Sequence, residues 1–199
     1  MIDVPAYALA ICEACVRAGG RGIIVGGFVR DGLLGIASKD IDIEVYGLDA
    51  PALEHLLGEF GEVLTVGRAF GVYKVKGIDL DISLPRRDNK VARGHRGFEV
   101  VVDPGLDFER AARRRDFTIN SMGYDPIRAE LLDPYDGACD LRAGVLAATD
   151  TAHFAEDPLR GLRAAQFIAR FELTASPELV SLCRALDLTE LPGERFLEE

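Results

Sequence analysis

The sequence predicts an α+β fold in which a mixed β-sheet is followed by a helical region. Short runs of alternating apolar and polar residues, typical of half-buried strands, recur between residues 23 and 84. Helical periodicity dominates from residue 156 to the end, and strands followed by helices are the pattern of the α+β class. Hydrophobic residues make up 48% of the 199-residue chain, enough for a substantial core. We therefore predict a first domain over residues 1–148 and a helical region over residues 149–199.

The individual elements follow from hydrophobic periodicity and from the turn residues between them. In chain order we predict helix 5–18, strand 23–26, helix 28–34, strand 40–46, helix 51–58 and strands near 62–66, 71–76 and 78–84. Residues 86–97 are polar, contain two glycines and lack periodicity, which predicts a mobile loop. Helical signals and then short strand signals occupy residues 107–148. The N-terminal region is therefore expected to be rich in strands.

A pair of glycines follows the first predicted strand. Gly26 and Gly27 have no Cβ, so the backbone there can approach a phosphate closely. Arg30 falls on the first turn of the next predicted helix, where its guanidinium and the unpaired backbone N–H groups can face an anion. Because a glycine pair after a strand is usually just a tight turn, the phosphate hypothesis depends on the residues that follow.

Carboxylates alternate with apolar residues on the second predicted strand. Asp40, Asp42 and Glu44 share one face of that strand. Residues two apart are separated by roughly 6.6 Å, and from there two carboxylates can hold metal ions about 3.5–4 Å apart. Alternating acids are more often a solvated face. A phosphate cradle followed so closely by a metal site nevertheless predicts an enzyme that handles nucleoside triphosphates.

Three short strings together resemble the signature of the class II nucleotidyltransferases. This family comprises the tRNA nucleotidyltransferases (CCA-adding enzymes) and the bacterial poly(A) polymerases. Its pattern is Gly-Gly-x-Val-Arg-Asp, then Leu-Leu-Gly, then Asp-x-Asp, and this chain has all three at residues 26–31, 33–35 and 40–42. The resemblance covers nearly the whole chain. It implies a polymerase-β-like nucleotidyltransferase head followed by a helical neck that reads the nucleobase.

The resemblance also implies a two-metal Mg²⁺ site. Asp40 and Asp42 match the acids of the family that hold the metal ions. On the strand predicted at 78–84, Asp79 and Asp81 share a second acidic face. Alignment of Arg86 and of residues 97–98 with the family makes Asp81 the counterpart of the third catalytic acid, and Asp79 is the reserve candidate.

Residues 113–120 resemble a second family motif, Arg-Arg-Asp-Phe-Thr-Ile-Asn. Without a function, Asp116 would simply cap a helix that starts at Phe117. The resemblance implies instead that Arg115 contacts the triphosphate, while Asp116 and Asn120 order the ribose and the arginines. The chain departs from the family in an additional Arg113 and in Ser121-Met122, and neither change removes a charged group.

The last motif starts at Glu156, where Asp157 is predicted to cap a helix with Pro158 in its first position. Asp157, Arg160 and Arg163 recur every three residues and share one side of that helix. Arginines near a helix N-terminus oppose the helix dipole, which favours a function for them. In the resembled family the matching Asp and Arg select CTP and ATP by imitating a Watson–Crick edge, and Arg163 would contact a phosphate. Gln166 replaces a further family arginine.

Charge and composition set limits on partners. The net charge of −10 is unfavourable for a stand-alone RNA binder. Basic residues cluster at 86–96 and 110–115, as solvated faces or as contacts to triphosphate or RNA.

Cys12 and Cys15 form a C-x-x-C within a predicted helix, which favours semi-buried thiols over zinc or redox chemistry. No apolar run suits a membrane span and no signal peptide is evident, so we expect no membrane contact and a cytoplasmic location.

The resemblance implies template-independent addition of C and/or A, from CTP and ATP, to the 3′ end of tRNA. In the family a helical body and tail grip the tRNA, so we expect a missing C-terminal body and tail, or a partner chain, to supply that grip. A poly(A) polymerase shares every motif named here and is the alternative within the class. A non-catalytic nucleotide-binding regulatory domain and a small-molecule nucleotidylating enzyme are the alternatives outside it.

Overall fold

The structure is a computed structural model that describes residues 2–65, 71–90 and 98–188. The helices are α1 (Ala6–Arg17), α2 (Gly27–Leu33), α3 (Ala50–Leu57), α4 (Phe108–Arg113), α5 (Gly137–Ala143), α6 (Leu159–Phe171) and α7 (Pro177–Arg184). The strands are β1 (Arg21–Val25), β2 (Asp42–Tyr46), β3 (Val63–Thr65), β4 (Val72–Val75), β5 (Asp81–Ser83), β6 (Arg86–Lys90), β7 (Phe98–Val102), β8 (Gly123–Asp125), β9 (Glu130–Leu132), β10 (Val145–Leu146) and β11 (Thr174–Ala175). No helix in these ranges is both long and apolar enough to cross a membrane.

The central sheet of the described residues has the strand order β3-β4-β5-β2-β1-β8-β9. Its neighbouring strands are antiparallel except for β2 and β5, which run parallel. This confirms the predicted mixed sheet. The parallel pair places Asp42 directly beside Asp81 in the register. Two acids that are 39 positions apart in the sequence therefore become neighbours in the sheet.

The alternation that predicted β2 also explains its packing. Ile43 and Val45 are fully buried in the hydrophobic core, together with Leu53 of α3. Cys12 and Cys15, on α1, lie in the same core with no exposed surface. Burial raises the pKa of the Cys12 thiol to about 12 and that of Cys15 to about 11. Both cysteines therefore act as small apolar side chains, more deeply buried than the predicted semi-buried thiols.

Several predicted elements differ from those observed. The prediction of a loop is wrong for residues 86–90, which form β6 and pair antiparallel with β7. The apolar strand β7 supplies the backbone partners, and this tertiary pairing outweighs the local polarity of β6. Residues 91–97, including Arg93 and Arg96 of the predicted basic cluster, lie outside the described residues. The C-terminal region is not helical throughout, because β11 separates α6 from α7.

The helical region packs directly on the sheet domain. Strand β10 pairs in parallel with β11, and Phe117 contacts Phe154 and Phe167, with ring centroids 6.2 and 5.4 Å apart. All three phenylalanines belong to one hydrophobic core. The boundary at residue 148 stays a prediction. Helix α6 contacts α2, where the Arg30 guanidinium lies over the rings of Phe167 and Phe171.

Candidate functional site

A cavity of about 420 Å³ lies where the end of β1, the start of α2, the segment after α4 and the first turns of α6 meet. Its lining residues are Gly26, Gly27, Arg30, Asp42, Arg86, Arg114, Arg115, Asp116, Asn120, Asp157, Arg160, Arg163 and Phe167. The cavity thus brings together every predicted site residue except Asp40 and Asp81. Arginines outnumber the acids that line it, so its walls suit an anionic ligand.

Gly26 forms the floor of the cavity with a backbone that a side chain would disturb. Its φ of 72° and ψ of −132° fall in a region that residues with a Cβ rarely adopt. A Cβ at this position would lie only 3.0 Å from Nη1 of Arg115. Glycine is therefore needed both for the turn into α2 and for the close approach of the Arg115 guanidinium, as expected of a cradle for phosphate groups.

Arg115 is prepared to receive an anion, and so in part is Arg114, whose buried Nε also has no acceptor among the described residues. The Nε of Arg115 is buried and has no hydrogen-bond acceptor among the described residues. Burial lowers the pKa of Arg115, and the Glu44 carboxylate opposes that effect. Because buried donors are normally paired in native structures, an unpaired donor at the wall of a cavity indicates a place where a ligand oxygen can bind.

Arg30 is held differently. Only 4% of its surface is exposed. Its Nε donates to Oδ1 of Asp31 at 2.8 Å, and its Nη1 donates to Oδ1 of Asn120 at 2.6 Å. The guanidinium also lies 4.5 Å from the ring centre of Phe171. Arg30 therefore builds the wall of the cavity and anchors α6, and its predicted contact with a triphosphate stays a prediction.

Asp116 and Asn120 bond to two arginines of the cavity, and their predicted contact with a ribose stays a prediction. Oδ2 of Asp116 accepts from Nε of Arg163 at 2.8 Å, and its Oδ1 accepts from Nδ2 of Asn120 at 3.0 Å. Asn120 in turn accepts from Arg30. The helix expected from Phe117 is reduced to a single 3₁₀ turn, Thr118–Asn120. A continuous chain of bonds therefore joins α6 to α2 across the cavity.

The predicted base-reading pair lies at the opening turn of α6. Nη2 of Arg160 donates to the carbonyl of Arg114 at 2.8 Å, and Nη1 donates to the carbonyl of His153 at 3.2 Å. Oδ1 of Asp157 accepts from the backbone N–H of Leu159 at 3.1 Å, so Asp157 helps to start the helix. Both side chains line the cavity, with the Arg160 guanidinium fixed by two backbone carbonyls.

The predicted catalytic acids lie at the N-terminal ends of the neighbouring inner strands β2 and β5, a region called the acidic edge below. Asp42 stands at the rim of the cavity, and Asp40 is exposed just before the start of β2. Partial burial raises the pKa of the Asp42 carboxyl; Arg115 opposes that rise, while Asp81 and Asp40 add to it. Oδ1 of Asp81 pairs with Nζ of Lys74 at 2.6 Å. Positive charge is therefore favourable at this edge.

The donor set at this edge fits a hard divalent cation. Carboxylate oxygens are the ligands that Mg²⁺ prefers, and the ammonium of Lys74 already occupies a cation position beside Asp81. In the part of the chain that the structure describes, however, no three carboxylate, thiol or imidazole groups lie close enough together to hold a metal ion. Asp42 and Asp81 are therefore neighbours in the sheet, but the described residues do not place three ligands around one point.

Sequence reasoning missed several residues of the site. Glu44 shares the face of Asp42 in the sequence pattern, but it is fully buried and accepts from Arg114 at 2.9 Å and from the hydroxyl of Tyr46 at 2.5 Å. Its position two residues after Asp42 was the available signal. Lys74 and Phe167 belong to none of the motifs, so nothing in the sequence pointed to them. Of the basic run 110–115, Arg113 pairs with Asp150 and is not among the cavity residues.

A mixed sheet with paired acids beside an arginine-lined cavity defines a nucleotidyltransferase-type head. Residues 23–147 match the family model described as the poly A polymerase head domain. The chain therefore belongs to the poly(A) polymerase head-domain family, as its motifs predicted. The matched segment runs from within β1 to the end of β10 and contains every proposed catalytic acid, but it ends before the proposed base-reading pair, Asp157 and Arg160.

Curated relatives and solved structures agree with this assignment. The Multifunctional CCA protein of Xylella fastidiosa is 38% identical over 90% of this chain, which spans 43% of that protein. The CCA-adding enzyme of Thermotoga maritima, solved with tRNA, has a TM-score of 0.72 and 29% identity, over 89% of this chain and 40% of its own. The Bacillus stearothermophilus CCA-adding enzyme, solved with CTP, has a TM-score of 0.73 and 27% identity, over 88% and 41%. The chain thus spans less than half of these relatives.

Proposed function

We propose that this chain is the nucleotide-binding and catalytic head of a tRNA nucleotidyltransferase that adds C and/or A, from CTP and ATP, to a tRNA 3′ end. The observation that carries the proposal is the cavity itself. It joins a glycine cradle and an unpaired buried arginine donor to an acidic rim on one side and to the Asp157/Arg160 pair on another. The relatives solved with CTP and with tRNA support the choice of substrates.

The triphosphate is proposed to lie against Gly26, Gly27 and Arg115, with Arg163 and Arg30 behind it. A bidentate guanidinium matches the geometry of phosphate oxygens. The chain of bonds from Arg163 through Asp116 and Asn120 to Arg30 holds these groups in place before the ligand arrives. Preorganised donors lose little freedom on binding, so most of their interaction energy is available for affinity.

The base is proposed to face Asp157 and Arg160. A carboxylate accepts from the exocyclic amine of cytosine or adenine, and a guanidinium donates to a ring acceptor. Uracil and guanine present the opposite groups at those positions, which leaves buried polar atoms unpaired. The fixed guanidinium of Arg160 supports discrimination without a nucleic-acid template.

Mg²⁺ is the proposed cofactor, held by Asp40 and Asp42 with help from Asp81. When bound, it would activate the RNA 3′-hydroxyl for attack on the α-phosphate and stabilise the leaving pyrophosphate. The chain itself supplies the acids, whose mutual repulsion favours a cation, and Arg115, which lies beside Gly26 and acts on the charge of Asp42. A poly(A) polymerase would use the same groups and remains the second candidate, supported by the family model.

One experiment separates these possibilities. The protein is incubated with Mg²⁺ and with tRNA that lacks its 3′ CCA, using each labelled nucleotide alone and all four together, and products are resolved at single-nucleotide length. CCA addition predicts two C residues and then one A; a long ladder from ATP alone would identify a poly(A) polymerase. Tight CTP binding without any extension would support a regulatory domain, and an Asp42→Asn variant serves as the catalytic blank.

A further inference from the structure

We propose that Glu44, which no motif assigns to the site, is a positioning residue of the nucleotide cavity. It fixes Arg114 by a direct ion pair and balances the charge of Arg115 without occupying that arginine's hydrogen-bond donors. The proposal rests on the proposed function, because it concerns how the same cavity is prepared for a nucleoside triphosphate. Glu44 touches neither the cavity nor the proposed metal position and acts only through its neighbours.

Glu44 is a buried carboxylate whose two oxygens are both used. It lies on β2, two residues after Asp42, and none of its surface is exposed. Oε1 accepts from Nη2 of Arg114 at 2.9 Å, and Oε2 accepts from the hydroxyl of Tyr46 at 2.5 Å. A buried charge is costly unless it is paired, so the charge of Glu44 belongs with the arginines beside it.

Arg115 benefits from this charge at a distance. Burial lowers the pKa of Arg115, and Glu44 is the charged group that opposes this lowering most. The oxygens of Glu44 are taken by Arg114 and Tyr46, and Nε of Arg115 has no acceptor among the described residues. Nε of Arg115 therefore stays available for an anion at the glycine cradle.

Arg114 connects Glu44 to the proposed base-reading group. Its side chain is held by Glu44, while its main-chain carbonyl accepts from Nη2 of Arg160 at 2.8 Å. A shift of Arg114 would therefore move an anchor of Arg160. Loss of the Glu44 charge should weaken the binding of the triphosphate through Arg115 and reduce base discrimination through Arg160. A residue that only stabilised the sheet would do neither.

The main test is Glu44→Gln, which keeps the shape of the side chain and removes its charge. Binding of CTP, UTP and inorganic tripolyphosphate is measured by calorimetry, together with the melting temperature. We expect about tenfold weaker binding of both CTP and tripolyphosphate, with a smaller ratio of CTP to UTP affinity. In turnover, KM for CTP should rise more than kcat falls. Tyr46→Phe is the matched control: it removes one bond to Glu44, keeps the charge and should change affinity less than about threefold.

A double-mutant cycle protects the test against simple unfolding. Glu44→Gln combined with Arg114→Gln removes both members of the buried pair and leaves no uncompensated charge between them. The proposal requires a combined loss of CTP affinity that is clearly smaller than the product of the two single losses. Multiplicative losses would overturn it, as would a Glu44→Gln protein that melts earlier but binds both ligands normally. If the unsubstituted chain binds no CTP, the proposed function itself fails instead.

Discussion

The arginine-lined cavity and the acidic edge of β2 and β5 lie side by side, and they are held in different ways. In the cavity, Arg30, Asn120, Asp116 and Arg163 form one continuous hydrogen-bonded chain. At the edge, Asp40 and Asp42 are exposed and Asp81 is half-buried. Burial raises the pKa of Asp42, the charges of Asp81 and Asp40 add to that rise, and the Lys74 ammonium pairs with Asp81. The nucleotide-binding half is therefore organised by the protein itself, and we expect a bound cation to organise the catalytic half.

Burial explains the difference. An arginine removed from water is costly unless carboxylates and carbonyls compensate it, so the cavity needs its internal bonds in order to fold. Carboxylates at an exposed edge stay partly hydrated and carry a smaller cost, which at Asp42 appears as a raised pKa. Substitutions at the edge should therefore impair chemistry and spare the fold, whereas substitutions in the cavity should impair binding.

The largest expected effect is at the acidic edge. Asp42→Asn should reduce nucleotide transfer by roughly 10³-fold or more, because metal ions supply several kcal/mol of charge stabilisation in such reactions. CTP affinity and melting temperature should change little, and Asp40→Ala should behave similarly. Single-nucleotide gels and calorimetry measure the two properties. Asp79→Asn tests the reserve candidate and should stay active if Asp81 is the third acid; full activity of Asp42→Asn with Mg²⁺ present would remove the two-metal hypothesis.

A second comparison separates two arginines that are neighbours in the basic run. Arg115→Gln should weaken CTP binding by about 10- to 100-fold, since it removes a charged donor from a buried site. Arg113→Gln should change CTP binding less than about twofold, because an exposed ion pair such as that with Asp150 contributes little. Calorimetry with both variants decides the matter, and similar losses would mean that the cavity extends further than the structure indicates.

Base discrimination should be affected without loss of triphosphate binding. The unsubstituted protein should prefer CTP and ATP over UTP and GTP, and Asp157→Ala should reduce that preference by about tenfold, the effect of one lost buried hydrogen bond. Competition binding with all four nucleotides measures this, with the adjacent Glu156→Ala as control. Equal affinity of the unsubstituted protein for the four nucleotides would exclude a base-reading role for Asp157 and Arg160.

The last prediction concerns the affinity of this chain for tRNA, which we expect to be low. Its net charge is −10, and three exposed arginines outside the cavity are engaged with acids: Arg87 with Asp103, Arg110 with Asp107 and Arg113 with Asp150. Because the net charge repels the RNA backbone and these arginines are already paired, binding should be weak and strongly dependent on salt. A gel-shift titration at physiological salt tests this. Submicromolar affinity would reveal an RNA surface that neither the motifs nor these ion pairs indicate.

Sequence patterns were most informative where function depends on short, local strings. The glycine pair, the Asp-x-Asp and the Asp157-x-x-Arg160 spacing each contain their chemistry within a few residues. The structure places nearly all of them around one cavity. The mixed sheet was predictable for a similar reason, since alternation along a strand reflects which face is buried.

The tertiary structure alone decided which similar residues have different roles. Asp42 and Glu44 share one face of β2, yet Asp42 reaches the rim of the cavity, whereas Glu44 is fully buried and paired with Arg114. The polar segment 86–90 became a strand because β7 pairs with it. Sequence by itself determined the chemical groups and their local spacing. Burial, cross-strand partners and net local charge depend on distant residues, and only the folded chain brings those residues together.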